Sequence, residues 1–553
     1  MVLKRLSKEK GFPVDLRPAV RDEIAYHFAV KWFGQGQMDR IAEKYKRASV
    51  SLEELTKDVK EYDVVYVPRV KDPVYTAVLE SVRRDFVPKK HLIPWTLGKV
   101  EKDGIPKDKS PGLPWKERGY RTKAEVLADP VAMGEIHGKW AMIGKGYHTS
   151  LPDSLCYFRA QICSPDTNKV RATWGYPLEL TLEEGRFVYP YLEWIRHAKH
   201  DVPVGYGVEM ATGGMGFIDL AFQECGPNTK VAMLDWRRFD KHVPAWLVRD
   251  AFSVMAQAFD FSRVECSDAK VWLVDPLKSE RRWKKCVNYF IETPIRLPTG
   301  ERFVKSGGVP SGSTFTNIID TIINAIVTRY VIYHVTGAGP KYDVYMGDDS
   351  VIMLDGGLDL EKFASVSLEV FGFHLNTRKS YITGRRTNIS FLGYFNYQGK
   401  PVRDGDFLLA SFIYPERFHG VSDPMFTTMR AVGQMWSTLN GVSANRWLDM
   451  IEDMETSFGF DKDWFDTFMK EHPASLKWLR LTGLEPTKLH IPRKAGNPFL
   501  SVIDSLVQPR RYPIPRTFNV EKLYQDYYNN FLDDATVWEQ FVDARVECGW
   551  NDG

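Results

Sequence analysis

Short apolar runs alternate with helical patterns through the middle of the chain, and helical patterns dominate its last third. Lys230 to Asp235 (Lys-Val-Ala-Met-Leu-Asp) has the length and composition of a short buried strand that ends on a carboxylate. Leu247, Ala251, Val254, Met255 and Ala258 then recur at helical spacing, and Pro244 suits the first helical position. A Gly/Ser-rich loop, Ser306 to Gly312, leads into a long apolar helix that runs to about Val335. Tyr342 to Leu354 reads as a hairpin with Gly347-Asp-Asp-Ser350 as its turn. A helix near Asp359 to Phe371 and a second β-like stretch at Ser390 to Tyr397 follow. Upstream, the first 60 residues are charged and helix-prone, as at Leu52 to Tyr62. Between about 90 and 120, Pro94, Gly98, Gly104, Pro106, Pro111, Gly112 and Pro114 are breakers, and the stretch reads as irregular surface structure.

The chain has 553 residues, 44% hydrophobic and 26% charged, an ordinary globular composition that excludes disorder throughout. Its length amounts to roughly four domains' worth of chain. The 74 Lys and Arg against 71 Asp and Glu leave a net charge of +3. That sum neither announces nor excludes a nucleic-acid binder, because the field that matters is local. Cys156, Cys163, Cys225, Cys266, Cys286 and Cys548 form no Cys-x-x-Cys pair and suit a reducing compartment. The first residues lack the apolar core of a signal peptide. The longest apolar stretch, Ile318 to Val335, is interrupted by Asp320, Asn324, Arg329 and His334, so no membrane span is expected.

Three polar signals stand out against this pattern. Asp348 and Asp349 are adjacent carboxylates at a hairpin tip, and their charges repel unless a cation compensates. Hard divalent cations such as Mg²⁺ take oxygen ligands of this kind. Asp235 ends the apolar strand, with Asp240 five residues on; Asp240 also suits a helix cap before Pro244. Ser311-Gly312 opens the long apolar helix, where Thr316, Asp320 and Asn324 fall on one line. A polar stripe on such a helix is expected to face something wet.

The order of these signals is more specific than any one of them. Strand-Asp-x4-Asp, then Ser-Gly-x3-Thr-x3-Asp, then Gly-Asp-Asp resembles motifs A, B and C of viral RNA-dependent RNA polymerases. Lys169-Val-Arg171 looks like the basic motif F, Lys379 like the motif D lysine, Phe391-Leu392-Gly393-Tyr394 like motif E, and Ser110-Pro-Gly112 like motif G. Asp-Trp-x-x-Phe-Asp, Gly-Val-Pro-Ser-Gly-Ser and Ile413-Tyr-Pro-Glu416 are most similar to the partitivirus and picobirnavirus groups.

The resemblance implies an α+β right hand of fingers, palm and thumb, with an RRM-like antiparallel palm sheet and a mainly helical thumb. It divides the chain into an extension bridging fingers and thumb (1–90), fingers (91–227), motif A palm (228–260), a fingers insertion (261–304), the remaining palm (305–400), and thumb with C-terminal region (401–553). It implies that Asp235 and Asp348, supported by Asp349, bind two Mg²⁺ ions, with Mn²⁺ as a substitute. Lys169 and Arg171, helped by Arg159, would meet the incoming triphosphate. Lys379 would serve as a general acid or a nearby cation. Asp240, Thr316 and Asp320 would read the ribose 2′-OH, with Asp320 standing where many relatives carry Asn. Ser311 and Gly312 would contact the template or nascent pair. Phe391 to Tyr394 would support the primer, and Ser110 and Gly112 the template.

The implied partners are template and nascent RNA, NTPs and a viral capsid protein, with no membrane. The implied location is the virion interior and host cytoplasm. A reverse transcriptase shares the palm logic, but the Gly before the Asp pair and the 2′-OH set weigh against it. A non-catalytic RNA-binding or capsid-associated protein would more often have lost the carboxylates. A metal-dependent nuclease leaves the Ser-Gly-x3-Thr helix and the basic motif unexplained.

Overall fold

The computed structural model describes residues 2–421 and 423–493. Its centre is a four-stranded antiparallel sheet built from β1 (Thr229–Met233), β2 (Tyr342–Met346), β3 (Asp349–Asp355) and β4 (Tyr381–Thr383), in the spatial order β2-β3-β1-β4. The long helix α1 (Thr316–Thr336) lies between β1 and β2 in the chain, and α2 (Leu360–Phe371) between β3 and β4. This is the βαββαβ topology of the RRM and ferredoxin-like folds. Register is fixed by Ile352 opposite Ala232 and Ile382 opposite Ala232 on the other side.

The sheet is apolar on both faces because it is covered on both. Val231, Ala232, Val344, Tyr345, Val351, Ile352 and Met353 are fully or almost fully buried. Helix α1 is apolar nearly all round, as expected of a helix enclosed by protein. By length and composition it passes as a membrane span, but 89% of its most apolar window is buried inside the molecule.

A second sheet of five strands joins distant parts of the chain: Lys4–Leu6, Arg302–Val304, Pro294–Arg296, Ser154–Ala160 and Val170–Gly175. A third, of three strands, covers Ser390–Arg403. The helices Gly405–Ile413, Pro424–Ser437, Gly441–Phe458 and Trp464–Glu471 follow. The N-terminal helix Glu23–Phe33 packs against the first three of these, and Pro73–Phe86 packs on α1. The first 90 residues therefore touch both the C-terminal helices and the central helix α1. The part of the 401–553 region beyond 493, including Cys548, lies outside the described residues.

Several expectations need correcting. The 90–120 stretch is not mere surface: Leu97–Asp103 is helical, and Trp95 and Trp115 are buried. Its breakers interrupt the backbone, while its apolar side chains still bury. Pro244 precedes the helix Ala245–Ala256 as its cap residue rather than opening it. The hairpin turn is tighter than expected, since Asp349 already pairs with Met346 and only Gly347 and Asp348 turn the chain. Gly347 takes φ +61°, a left-handed conformation that glycine adopts without penalty.

Candidate active site

The three polar signals converge at one end of the central sheet. Continuing the β1–β3 register past Ala232 and Ile352 sets Asp235 across from Asp349, beside the Gly347–Asp348 turn. The backbone at Asp235 is fixed from β4's approach: its N–H donates to Ser380 Oγ (2.9 Å), and its carbonyl accepts from the Asn376 N–H (2.7 Å). Both contacts use main-chain groups of Asp235, so neither occupies its carboxylate.

Helix α1 bolts the hairpin tip in place. The Gly347 N–H donates to Thr321 Oγ1 (2.9 Å), and Asn324 Nδ2 donates to the Gly347 carbonyl (3.0 Å). Asn324 is fully buried, and its Oδ1 accepts from Trp236 and Thr328. The expected wet stripe on α1 is therefore wet only at its start: Asn324 is a dry clamp, and Asp320 is almost completely enclosed.

Electrostatics at the tip are unbalanced. Burial, then repulsion from Asp240, raises the Asp348 carboxyl above its usual range, with Arg171 opposing and Asp235 adding to the repulsion. Asp349 is pushed up to about 6, mainly by burial and despite accepting the Leu392 N–H (2.8 Å). Asp240 does not cap the following helix; it sits in the single helical turn Phe239–His242 and meets Asp320. Burial, then repulsion from the Asp240 charge, raises the Asp320 carboxyl well above its usual range. The two carboxyls are thus close neighbours, Asp320 enclosed and Asp240 half-buried.

The Gly/Ser loop is gripped from two sides. A Cβ on Gly312 would lie 1.5 Å from the Trp174 carbonyl oxygen, so only glycine fits there. Ser311 Oγ accepts the Trp174 N–H at 3.3 Å. Thr316 donates its hydroxyl to the Pro310 carbonyl and so caps the loop rather than facing outward. Sequence reasoning missed Glu184, a fully buried carboxyl on the helix Leu178–Ala198. It accepts from Ser313 Oγ (2.5 Å) and the Thr314 N–H (3.1 Å), and burial pushes it up to about 8. A Glu-Glu pair inside an apolar helix was the only available signal.

The remaining expected residues divide into two groups. Lys169 and Arg171 flank the start of the strand Val170–Gly175, both exposed, and Arg171 acts electrostatically on Asp240 and Asp348. Lys379 is exposed on the turn that holds Asp235. Leu392 (φ +54°) donates to Asp349, linking Phe391–Tyr394 to the tip, while Phe391 and Tyr394 are core residues. Arg159 is engaged elsewhere: Glu416 accepts its Nε at 3.1 Å and also the Ala160 N–H. Ser110 pairs with the Tyr157 hydroxyl (2.9 Å), and Gly112 lies tight against the Tyr176 carbonyl.

The donor set suits Mg²⁺. Among the described residues no cluster of three or more metal-ligating side chains is preassembled. Mg²⁺ normally takes one or two carboxylates and completes its shell with phosphate and water. Asp235, Asp348 and Asp349 offer hard oxygens whose mutual repulsion a divalent cation relieves.

A right-hand polymerase palm is the class this fold and site define. The family model described as viral RNA-dependent RNA polymerase matches residues 17–403, and the chain belongs to that family. It is 28% identical over 353 residues to the RNA-directed RNA polymerase of Cryptosporidium parvum virus 1 (strain KSU-1), covering 60% of this chain and 63% of the relative. It is 26% identical over 306 residues to that of White clover cryptic virus 1 (isolate Boccardo/2004), covering 52% and 49%. The chain thus spans about half to just under two thirds of the length of these relatives. The crystal structure of a human picobirnavirus RNA-dependent RNA polymerase shares the fold, with TM-score 0.65, 14% identity, and coverage of 90% of this chain and 94% of that one.

Proposed function

We propose that the protein is an RNA-dependent RNA polymerase that replicates and transcribes a viral double-stranded RNA genome by two-metal nucleotidyl transfer. The observation that carries this is the convergence of Asp235, Asp348 and Asp349 at one sheet end, with the acid pair Asp240–Asp320 and the basic strand of Arg171 beside them. Asp235 and Asp348 would hold two Mg²⁺ ions, or Mn²⁺, with Asp349 in support. Bound there, the ions supply the charge that activates a 3′-OH and offsets the leaving pyrophosphate.

The protein's own groups do the rest by positioning and charge. Lys169 and Arg171 bind the triphosphate from the exposed strand, and Lys379 offers a further cation or proton donor. Asp320, holding its proton, orients Asp240, whose remaining oxygen accepts from the ribose 2′-OH. Thr316 acts by fixing the loop at Pro310. Ser311 and Gly312, set by Trp174 and, through Ser313 and Thr314, by Glu184, face the template or nascent pair. Phe391 to Tyr394 support the primer strand, and Ser110 and Gly112 the template.

In this reading residues 1–90 bridge fingers and thumb, 91–227 and 261–304 form fingers, 228–260 and 305–400 palm, and 401–553 the thumb region. The partners would be RNA, NTPs and a capsid protein, and the location the virion interior and host cytoplasm. RNA synthesis by the purified protein on an unprimed single-stranded template, with Mg²⁺ and with chelator, tests the reading. Metal-dependent incorporation of ribonucleotides supports it; incorporation only of deoxyribonucleotides would point to a reverse transcriptase.

A further inference from the structure

Three segments of the site, far apart in sequence, meet one short stretch near the N-terminus. The stretch is the end of the helix Leu52–Lys60 and the residues just after it. Lys241, next to Asp240, donates its ammonium to Asp58 and to Glu61 (2.7 Å), and its side chain is only 12% exposed. The Lys241 carbonyl accepts from the Tyr66 hydroxyl at 3.1 Å. The Tyr62 hydroxyl donates to the Val309 carbonyl at 2.8 Å. Asp58 also accepts the Ala172 N–H at 2.7 Å, one residue beyond Arg171.

These contacts reinforce a direct link between the Asp240 turn and the Gly/Ser loop. The Val309 N–H donates to the Asp240 carbonyl and the Gly308 N–H to the Val243 carbonyl, both at 2.7 Å. A Cβ on Gly308 would lie 2.8 Å from both the Asp240 carbonyl and the Tyr62 ring, and one on Gly307 would lie 2.5 Å from the Tyr66 ring. The two tyrosine rings thus occupy the space that side chains on the loop would need. Tyr62 also packs edge-on against Trp174 (5.1 Å), whose backbone grips Ser311 and Gly312.

We propose that Asp58, Glu61, Tyr62 and Tyr66 form a positioning strap that sets the nucleotide-binding half of the site. The strap acts through Lys241 and Val309 and touches none of the reacting atoms. It holds the Asp240 turn, the Arg171 strand and the Gly/Ser loop at one mutual distance, the geometry a nucleotide would have to find. Lys241 is thereby spent on the strap and withheld from the triphosphate. The inference rests on the polymerase reading for its kinetic consequence, but not for its mechanical one.

The test uses the full chain in three forms: wild type, Tyr62→Phe, and the double variant Asp58→Asn/Glu61→Gln. Five properties are measured: kcat and KM for a single NTP on a fixed RNA template, RNA affinity, the thermal midpoint, and amide exchange at Gly308 and Val309. Losing charge-assisted hydrogen bonds raises KM for NTP about tenfold in the double variant, and less in Tyr62→Phe. RNA affinity stays at the wild-type value, and the Gly308 and Val309 amides exchange faster in both variants. Unchanged exchange at these amides overturns the strap, as does an unaltered KM in an active double variant. A wild-type protein that incorporates no nucleotide overturns the polymerase reading alone, and the exchange arm still decides the strap.

Discussion

Asp343 and Asp348 stand five residues apart on one hairpin and meet opposite treatment. Asp343 is buried and accepts two bonds from Arg329 (2.7 and 3.1 Å) and one from the Tyr345 hydroxyl (2.8 Å). Arg329 in turn reaches Ser81 and Asp85 on the helix Pro73–Phe86. Asp348, at the tip, faces Asp235 and Asp240, and among the described residues no lysine or arginine forms an ion pair with it. The first carboxylate joins elements of the fold. The second is left without an ion pair among the described residues, where a cation and a triphosphate would arrive. One hairpin thus carries a structural charge and a functional charge, and the partners distinguish them.

The comparison breaks most sharply at its structural end. Arg329→Met strands the buried Asp343 carboxylate and is expected to lower unfolding free energy by about 3–5 kcal/mol, read by urea denaturation. A loss near zero would mean that the network carries no structural weight. Glu184 gives the next effect. Its folded-state carboxyl titrates near 8, above the ordinary 4.5, so the native state binds more protons between those values. The Glu184 contribution to stability is therefore full below about pH 4.5 and is lost as pH rises through 8, on the order of a few kcal/mol. Glu184→Gln should flatten that slope in denaturation series at pH 5.5 and 8; an unchanged slope would show that Glu184 is not its source.

Smaller effects sharpen the functional end. Asp320→Asn keeps a donor toward Asp240 and should preserve the preference for rNTP over dNTP. Asp320→Leu removes it and should reduce that preference by roughly tenfold in single-nucleotide incorporation. Equal ratios in both variants would remove Asp320 from sugar selection. Asp348→Asn relieves the repulsion from Asp240 and Asp235, so stability should rise slightly, by less than about 1 kcal/mol. A marked loss would instead assign Asp348 a structural partner.

Much of this was legible in the sequence because the signals are local. The strand before Asp235, the hairpin around Gly347 and the apolar α1 each follow from periodicity and residue type over a short window. What escaped depends on chain brought from afar. Nothing near Tyr62 or Asp58 marks them as neighbours of Val309 and Lys241, and nothing at Arg159 foretells Glu416. Trp115 was hidden by the prolines around it, which speak for the backbone and not for burial.

The central claim is that the uncompensated carboxylates at the hairpin tip exist to hold catalytic cations. Ribonucleotide incorporation by wild type and Asp348→Ala, on the same RNA template with Mg²⁺ and with chelator, tests it most directly. Wild type should synthesise RNA in a reaction that chelator abolishes, and Asp348→Ala should lose roughly 10³-fold or more at unchanged RNA affinity. Robust synthesis by well-folded Asp348→Ala would contradict it.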